Sequence, residues 1–548
     1  MRKLVLICMV MCCNLLAGMQ PLSIPGGPYV DVQLYNADGN GLVDDSEAIA
    51  EAIASASSGA TIWFGDASRT YLVDRKFIID KELHFIGNGA TIKLIASSTL
   101  FNATSTYANY IFNVRRDNVT FEGLKFDGNS PNNWLETDGT IRFLPPGHYV
   151  GCIMVGDYPN GDVQSDINKV SISNCDFTDW PGEAVSTWRN TQHGYFTNAL
   201  SISNCNFEKC QNVQVALSAA KDSIICNNHF KNAYFASFQI YNDCYDNLFA
   251  NNSVVFSSSQ ISFALVDPSL IASGSLIWKG HVRFGKSAPG KSNSNSCIGN
   301  DINGTAVEFI GNTNNCVISN NTIASSEYVG IQYNSEGFGN RIFGNKVSDC
   351  ADSGLYFDSL GTSPVYITDN VFSRNNNNIA SYGGRLMQSN ISILSDYLIF
   401  RNNVVQKGDN YYGLRIDKLG ALPNTVIEDN DIKNSGTQMD FYNPYYAGNN
   451  LGAGLRSFSF VKNDLPEYQT LDALPNYSGF LIVQVASHAG LFVYDAASHT
   501  CNVLAATGNA TNTDVLGHLC VYATPGNLQI RQNLGVGTQA IRLKFWNY

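Results

Sequence analysis

The sequence has 548 residues, a formal net charge of −12 and only 15% charged residues. Because 44% of the residues are hydrophobic, the chain can bury a sizeable core, and a highly charged disordered chain or a long coiled coil is excluded. The negative charge disfavours general binding to nucleic acid or to an anionic membrane. The 11% of aromatic residues and the many asparagines are typical of all-β extracellular proteins that bind neutral polar ligands such as sugars.

The first elements along the chain are a short apolar segment and a helix. Arg2 and Lys3 precede an apolar run over residues 4–17, which is too short for a membrane span, so residues 1–19 are predicted to be signal-peptide-like or a docking segment. Asp44, Asp45 and Ser46 predict the start of a helix over residues 47–56. We expect residues 20–95 to form an N-terminal cap and the first coils of the fold.

A short repeat follows from residue 119 to residue 432. In each copy a small or amide residue stands two places before an apolar residue, and most steps between copies are near 24 residues. This period, with short strands and Asn or Gly turns, predicts an all-β parallel β-helix of at least ten coils over residues 96–463. The step of 48 residues from Asn252 to Asn300 is interpreted as two coils, with Gly280 in the hidden one.

The repeated asparagines and cysteines are predicted to be structural. Asn can adopt left-handed turn geometry and bond to its copy on the next coil, so four asparagines are expected to stack in one line: Asn321, Asn345, Asn370 and Asn430. Cys175 and Cys205 share one repeat position and are expected to be buried, reduced thiols. No Cys or His spacing fits zinc, so the sequence predicts few disulfides, no metal and no cofactor.

Residues 464–548 have a different pattern. Five or more short strands there are separated by Gly, Pro, Asn and Thr turns, which predicts a small β-sandwich. Such a module would assemble trimers, bind carbohydrate or simply close the end of the solenoid.

The opening of the chain resembles a known superfamily. Residues 36–53, with their Asp-Gly-Asn-Gly turn and Asp-Asp-Ser helix start, lead to Gly-Ala-Thr-Ile-Trp-Phe at 59–64 and to apolar segments at 71–73 and 83–92. This order is similar to the pectate-lyase-like right-handed parallel β-helix superfamily, most of all to phage tailspike polysaccharide depolymerases. The resemblance covers roughly residues 29–460.

The resemblance implies an extracellular homotrimer, in a phage virion tail or secreted through a signal peptide, that degrades capsular, O-antigen or other extracellular polysaccharide. It implies no nucleic-acid partner and no membrane span in the mature chain. Glycoside hydrolysis is favoured over lyase elimination. A non-catalytic glycan-binding adhesin or structural fibre of the same fold is the alternative function, and a secreted bacterial enzyme is the alternative context.

Two long excursions, residues 127–166 and 179–195, interrupt the repeat and are candidate substrate-binding loops. Their aromatic side chains offer flat faces on which sugar rings could stack. Their polar groups could bind the substrate or act as a base in an elimination. The candidate substrate-binding residues of the second excursion are Trp180, Glu183, Trp188, Arg189, His193 and Tyr195.

A stripe of polar side chains is predicted on the outward face of later strands, between apolar residues that alternate inward. Glu308 and Asp358 lie two coils apart, about 9–10 Å along the axis, which suits a pair of inverting glycosidase carboxylates. Asp417 and Asp440, one coil apart, are the rival pair. Arg415 is expected to bind an acidic or hydroxyl group, and Tyr356 to stack on the sugar.

Overall fold

The computed structural model describes most of the chain from residue 28 onward, in two compact units that comprise residues 1–303 and 304–548. The described ranges are 28–100, 109–133, 150–156, 165–188, 194–210, 212–257, 280–285, 292–375, 389–406, 412–416, 424–433, 457–465, 470–473, 479–485, 488–495, 500–507, 510–512, 519–524, 527–532 and 539–547. Each unit is described by itself.

In the first unit, parallel strands stack rung upon rung in three main columns, because each coil contributes one strand to each column. The first column comprises Tyr29–Asp31, Ala60–Asp66, Leu83–Asn88, Thr120–Glu122, Ser171–Ser173, Ser201–Ser203, Ile224–Cys226, Leu248–Ala250 and Ser296–Ile298. The second comprises Asn40–Asp44, Thr70–Val73, Thr91–Leu94, Lys125–Asp127, Asp176–Thr178, Asn206–Glu208, His229–Lys231, Ser253–Val255 and Asp301–Asn303.

The third column of the first unit, called the site sheet below, comprises Phe77–Ile79, Asn109–Val114, Val150–Gly156, Val185–Trp188, Val213–Leu217, Ala236–Ile240 and His281–Phe284. A minor column of two-residue strands comprises Ile167–Asn168, Thr197–Asn198, Ala220–Lys221, Cys244–Tyr245 and Ser292–Asn293.

Aromatic residues at one inward position fill the core of the first unit. Phe126, Phe177, Phe207 and Phe230 stack with ring centroids 4.9, 4.8 and 4.9 Å apart. These distances match the spacing of strands in a sheet, because one ring follows another on successive rungs.

The N-terminal cap contains the predicted helix. The helix spans Ser46–Ser55, one residue earlier than predicted at each end, and buries Ile49, Ala52 and Ile53. Asp44 Oδ1 accepts the Ser46 amide at 2.9 Å, so it supports the helix start. Short 3₁₀ helices occur at Val32–Tyr35 and Ser130–Asn132.

The second unit repeats the three columns. Its first comprises Val317–Ser319, Arg341–Phe343, Val365–Thr368, Leu398–Arg401 and the start of Val426–Lys433. Its second comprises Thr322–Ala324, Lys346–Ser348, Val371–Ser373, Val404–Gln406 and the end of Val426–Lys433. Its third comprises Val307–Gly311, Ile331–Ser335, Leu355–Phe357, Ser389–Ile393 and Tyr412–Ile416, and Thr313–Asn314 is a minor strand.

The second unit ends in two antiparallel sheets. One comprises Ser457–Leu465, Gln539–Asn547, Gly479–Val485, His488–Asp495 and Thr500–Thr507. The other comprises Thr470–Ala473, Asn527–Gln532, Leu519–Thr524 and Ala510–Thr511. The sheets contact each other, so the predicted C-terminal β-sandwich is present. The fold is a right-handed single-stranded parallel β-helix with an N-terminal capping helix, as the sequence predicts.

The asparagine columns form continuous ladders of hydrogen bonds. In the second unit Asn321, Asn345, Asn370, Asn403 and Asn430 follow one another, and each donates its backbone amide and Nδ2 to the next Oδ1 at 2.9–3.0 Å. The predicted alignment is therefore confirmed.

The predicted hidden coil at Gly280 is wrong. Asn252 donates directly to Asn300 Oδ1 at 2.9 Å, and the strand Ser253–Val255 pairs with Asp301–Asn303. The two asparagines are therefore on adjacent rungs.

Cysteines are buried in both units. All eleven cysteines of the described residues are buried free thiols, including Cys175 and Cys205. The Sγ atoms of these two donate to the carbonyl oxygens of Ser173 at 3.2 Å and Ser203 at 3.3 Å. Their predicted position in the coil is confirmed.

Candidate functional site

The outer face of the site sheet carries a cluster built around Glu183. The strand Val185–Trp188 starts with the fully buried Val185, so alternation places Ser186 on the outer face. Glu183 lies two residues before this strand, and its carboxyl group bonds to Ser186. The register places Ser186 beside Met154 and Ala216 on the adjacent rungs.

Tyr110 reaches Glu183 across the intervening rung. The Tyr110 hydroxyl donates to Glu183 Oε2 at 2.7 Å, although the two strands are two rungs apart. The rung between them carries Gly151, where an added Cβ would lie 2.3 Å from the Tyr110 ring and 2.7 Å from the Glu183 carbonyl oxygen. The missing side chain at Gly151 therefore makes room for this contact.

Two further side chains hold the carboxyl group. Asn212 Nδ2 donates to Glu183 Oε1 at 3.2 Å, and Ser186 also bonds to the carboxyl group. Glu183 itself is half-buried. All of these groups belong to the site sheet or lie next to it, so the scaffold fixes the orientation of Glu183.

The electrostatics of the cluster favour a protonated carboxyl group. Burial raises the pKa of Glu183 above its usual range, and the hydrogen bonds from Tyr110 and Ser186 offset part of this rise. Burial and the neighbouring Glu183 raise the pKa of Tyr110 well above its usual value. Glu183 can thus keep a proton to a higher pH than an exposed glutamate, as a general acid requires.

An apolar floor adjoins the carboxyl group. Val213, Ala216 and Ala236 are buried together, and the half-buried Phe235 and Tyr241 pack against them. The Arg283 guanidinium carbon lies 5.0 Å from the centroid of the Phe235 ring. The small residues are buried, so the half-buried rings of Phe235 and Tyr241 provide the apolar surface that suits a sugar.

The loop residues predicted to bind substrate occupy different environments. Trp180 is only 1% exposed and donates its indole N–H to the Phe126 carbonyl oxygen at 3.2 Å, so the expectation of an accessible ring is wrong: the ring packs into the coil. Trp188 and Tyr195 are half-buried. Arg189 and His193 lie outside the described residues.

In the second unit the predicted polar stripe exists, with corrections. Register places Glu308, Gln332, Tyr356, Ser392 and Arg415 on successive rungs. The sequence analysis missed the rung of Ser392, because Ser389–Ile393 carries no charged residue.

The exposure of the predicted catalytic carboxylates also differs from what the sequence predicts. Glu308 is fully buried, so the expectation that it faces solvent is wrong, and Tyr356 is 9% exposed. Asp358 is half-buried, and Asp417 and Asp440 lie outside the described residues.

A buried carboxyl group that sequence reasoning missed is Asp352. Burial raises its pKa to about 6, and Oδ1 accepts the Ser353 amide at 2.6 Å. Ser353 Oγ lies 2.8 Å from Ser392 Oγ, which joins Asp352 to the stripe. The signal was weak, since Asp-Ser-Gly before a strand reads as a turn.

Within the described part of the chain, no group of three or more His, Cys, Asp or Glu side chains is placed to hold a metal ion. In the same residues no helix has the length and apolar character needed to cross a membrane.

Comparison with solved structures found similar β-helix proteins at low identity. A mannuronan C-5 epimerase A-module from Azotobacter vinelandii is 16% identical, with a TM-score of 0.49, 76% of this chain covered and 98% of that chain. The Dettilon tailspike protein is 12% identical, with a TM-score of 0.42 and coverage of 95% and 94%. A surface adhesin of Streptococcus pneumoniae is 13% identical, with a TM-score of 0.41 and coverage of 87% and 98%.

No protein-family model matches the sequence, and a search of curated proteins found no match.

Proposed function

We propose that the first unit binds a polysaccharide on the outer face of the site sheet and cleaves it with Glu183 as the general acid. The observation that carries this proposal is the geometry at Glu183: its carboxyl group accepts hydrogen bonds from Tyr110 and Asn212, its pKa is raised by burial, and an apolar floor adjoins it. Tyr110 and Ser186, which hold the carboxyl group, are on rigid strands, and strands hold geometry more precisely than loops do.

The chemistry follows from the protonated carboxyl group. Glu183 donates its proton to the glycosidic oxygen as the bond from that oxygen to the sugar carbon breaks. In hydrolysis, water supplies the hydroxyl group that the anomeric carbon gains, its remaining proton passes to the solvent, and Glu183 regains a proton from the solvent. In elimination, a base removes a proton from the sugar instead, and His193, Tyr195 and Arg189 are the residues predicted for that role. Hydrolysis remains the favoured reaction in this proposal.

The carboxylate pair Glu308 and Asp358 stays a prediction. Glu308 is fully buried, so a polymer would reach it only after the groups that cover it move, whereas the half-buried Asp358 is accessible. The proposed context also stays a prediction. It comprises a bacterial surface or extracellular polysaccharide as partner, a homotrimeric assembly, and a virion or secreted location.

Incubation with a panel of capsule, O-antigen and exopolysaccharide preparations tests the proposal, with reducing ends and the absorbance of unsaturated uronates as readouts. Glu183→Gln should lower turnover by about 10²-fold or more. Asp301→Asn, which changes an exposed carboxyl group of the same unit, is the matched control and should cleave normally. Glu308→Gln and Asp358→Asn test the alternative pair in the same assay.

Each outcome separates the hypotheses. Wild-type cleavage by Glu183→Gln rejects the acid role. Loss of activity only in Glu308→Gln and Asp358→Asn moves the site to the second unit. Binding of a polysaccharide without release of any product supports the non-catalytic adhesin instead.

A further inference from the structure

We infer that Gln239 is a specificity-determining residue whose amide oxygen accepts a hydrogen bond from a hydroxyl group of a second sugar unit, beyond the one cleaved at Glu183. The inference rests on the proposed function, because it places this sugar on the same face of the site sheet. It adds a residue that determines which polysaccharide binds.

Register puts Gln239 on the same outward line as the Glu183 cluster. Ser186, Ala216, Gln239 and Arg283 are direct neighbours on four successive rungs. The residues on either side of Gln239, Phe238 and Ile240, are fully buried in the coil, so the glutamine lies on the outer face. Two rungs separate it from Ser186, or about 10 Å along the axis.

The side-chain amide oxygen of Gln239 is buried and accepts no hydrogen bond from the described residues. The side chain is 2% exposed, yet no described group donates to Oε1. An unsatisfied buried acceptor costs stability, and a structure retains few of them without a reason. A sugar hydroxyl group is a donor that would satisfy it.

Neighbouring side chains suit a sugar at this position. Arg283 is half-buried beside Gln239 and lies over the ring of Phe235, which packs against the apolar floor. The inference requires that the side chains over Gln239 move aside when a sugar binds. The Phe235 ring and the amide oxygen would then contact one sugar unit.

Gln214 provides an internal contrast. This fully buried glutamine also has an Oε1 without a described donor, but its Nε2 donates to the carbonyl oxygens of Phe207 at 3.2 Å and Lys231 at 2.8 Å. Its role is therefore to hold the backbone. No such backbone bond is described for the Gln239 side chain, so a structural role accounts for Gln214 and not for Gln239.

Affinity electrophoresis in gels that contain dextran, alginate or xanthan tests the inference, with Kd measured for the wild-type chain and for Gln239→Leu. We expect Gln239→Leu to weaken binding to the retained polysaccharide by about tenfold or more, since the sugar hydroxyl group loses its acceptor. Its melting temperature should stay equal or rise, because the variant removes an unsatisfied buried atom. Gln406→Leu, a half-buried glutamine at the end of the strand Val404–Gln406 and outside the polar stripe, is the control and should change neither value.

Partial O-methylation of the retained polysaccharide adds a readout that a structural role would not move. Methylation should weaken binding by the wild-type chain more than binding by Gln239→Leu. Unchanged affinity of Gln239→Leu, or a lower melting temperature with proportional loss of binding, overturns the inference, as does a wild-type chain that binds none of the three polymers. Because binding is measured without turnover, failure of Glu183→Gln to lose activity would reject the acid role alone.

Discussion

Replacement of one rung of the asparagine ladder should destabilise the coil around it strongly. The Asn345 side chain accepts from the backbone amide and Nδ2 of Asn321, and its own Nδ2 contacts the oxygens of Ile318, Phe343 and Asn370 at 2.9–3.1 Å. An amide carries only two N–H protons, so these five contacts amount to about four hydrogen bonds. Asn345→Ala removes all of them and leaves partners buried without replacements.

The expected cost is about 4 kcal/mol, at about 1 kcal/mol for each hydrogen bond. A chain of stacked coils rarely unfolds in one cooperative step, so the cost is best measured locally. Hydrogen exchange should report it at the backbone amides of Asn321 and its neighbours, which should exchange about 10³-fold faster in Asn345→Ala.

The matched control is Asn303→Ala, since this asparagine is exposed. In Asn303→Ala, the exchange rates of the neighbouring backbone amides should change by less than the equivalent of about 0.5 kcal/mol in opening free energy. If Asn345→Ala leaves the exchange of its coil at the wild-type rate, the ladder does not stabilise the fold and the reasoning from hydrogen bonds fails.

Three other results are expected. Gly151→Ala should displace Tyr110, and Tyr110→Phe removes its hydroxyl group, so both variants lose a hydrogen bond that lowers the pKa of Glu183. The alkaline limb of the pH–rate profile should therefore move to higher pH in both. An unmoved limb in both variants contradicts this. The pKa of Asp352 rises from 3.8 to about 6 on folding, so its stabilising contribution is complete below pH 3.8 and is lost as the pH rises through 6. Hydrogen exchange of the coil that carries Asp352 should therefore show a loss of about 3 kcal/mol in opening free energy across that window in the wild type. Asp352→Asn should flatten this dependence, and parallel curves would count against the assignment. Thiol labelling of denatured, unreduced protein should find most of the eleven described cysteines free, and a count near one would overturn that expectation.

The repeat made most of the fold predictable, because one short pattern encodes one rung. Position in that pattern was enough to align Asn321 with Asn345 and to place Cys175 inside a coil. The error at Gly280 arose because a period alone cannot distinguish an extra coil from a long excursion between adjacent rungs.

The candidate site was harder to predict because it depends on contacts between rungs. Glu183 was singled out within a loop, but its partner Tyr110 is 73 residues away and only the rung stacking brings them together. Gly151, inside an apolar strand, was the available signal, since such a glycine often marks a close approach of another group. Alternation predicted the outward position of Glu308 but not its burial, which depends on what covers a strand.

The ladders also bear on how such a chain can change in length. Every internal asparagine presents the same acceptor to the rung before it and the same donors to the rung after it. A rung can therefore be duplicated or deleted whole, and the two newly adjoining asparagines would meet with their complementary groups already aligned. Coil number is thereby open to variation by unequal recombination.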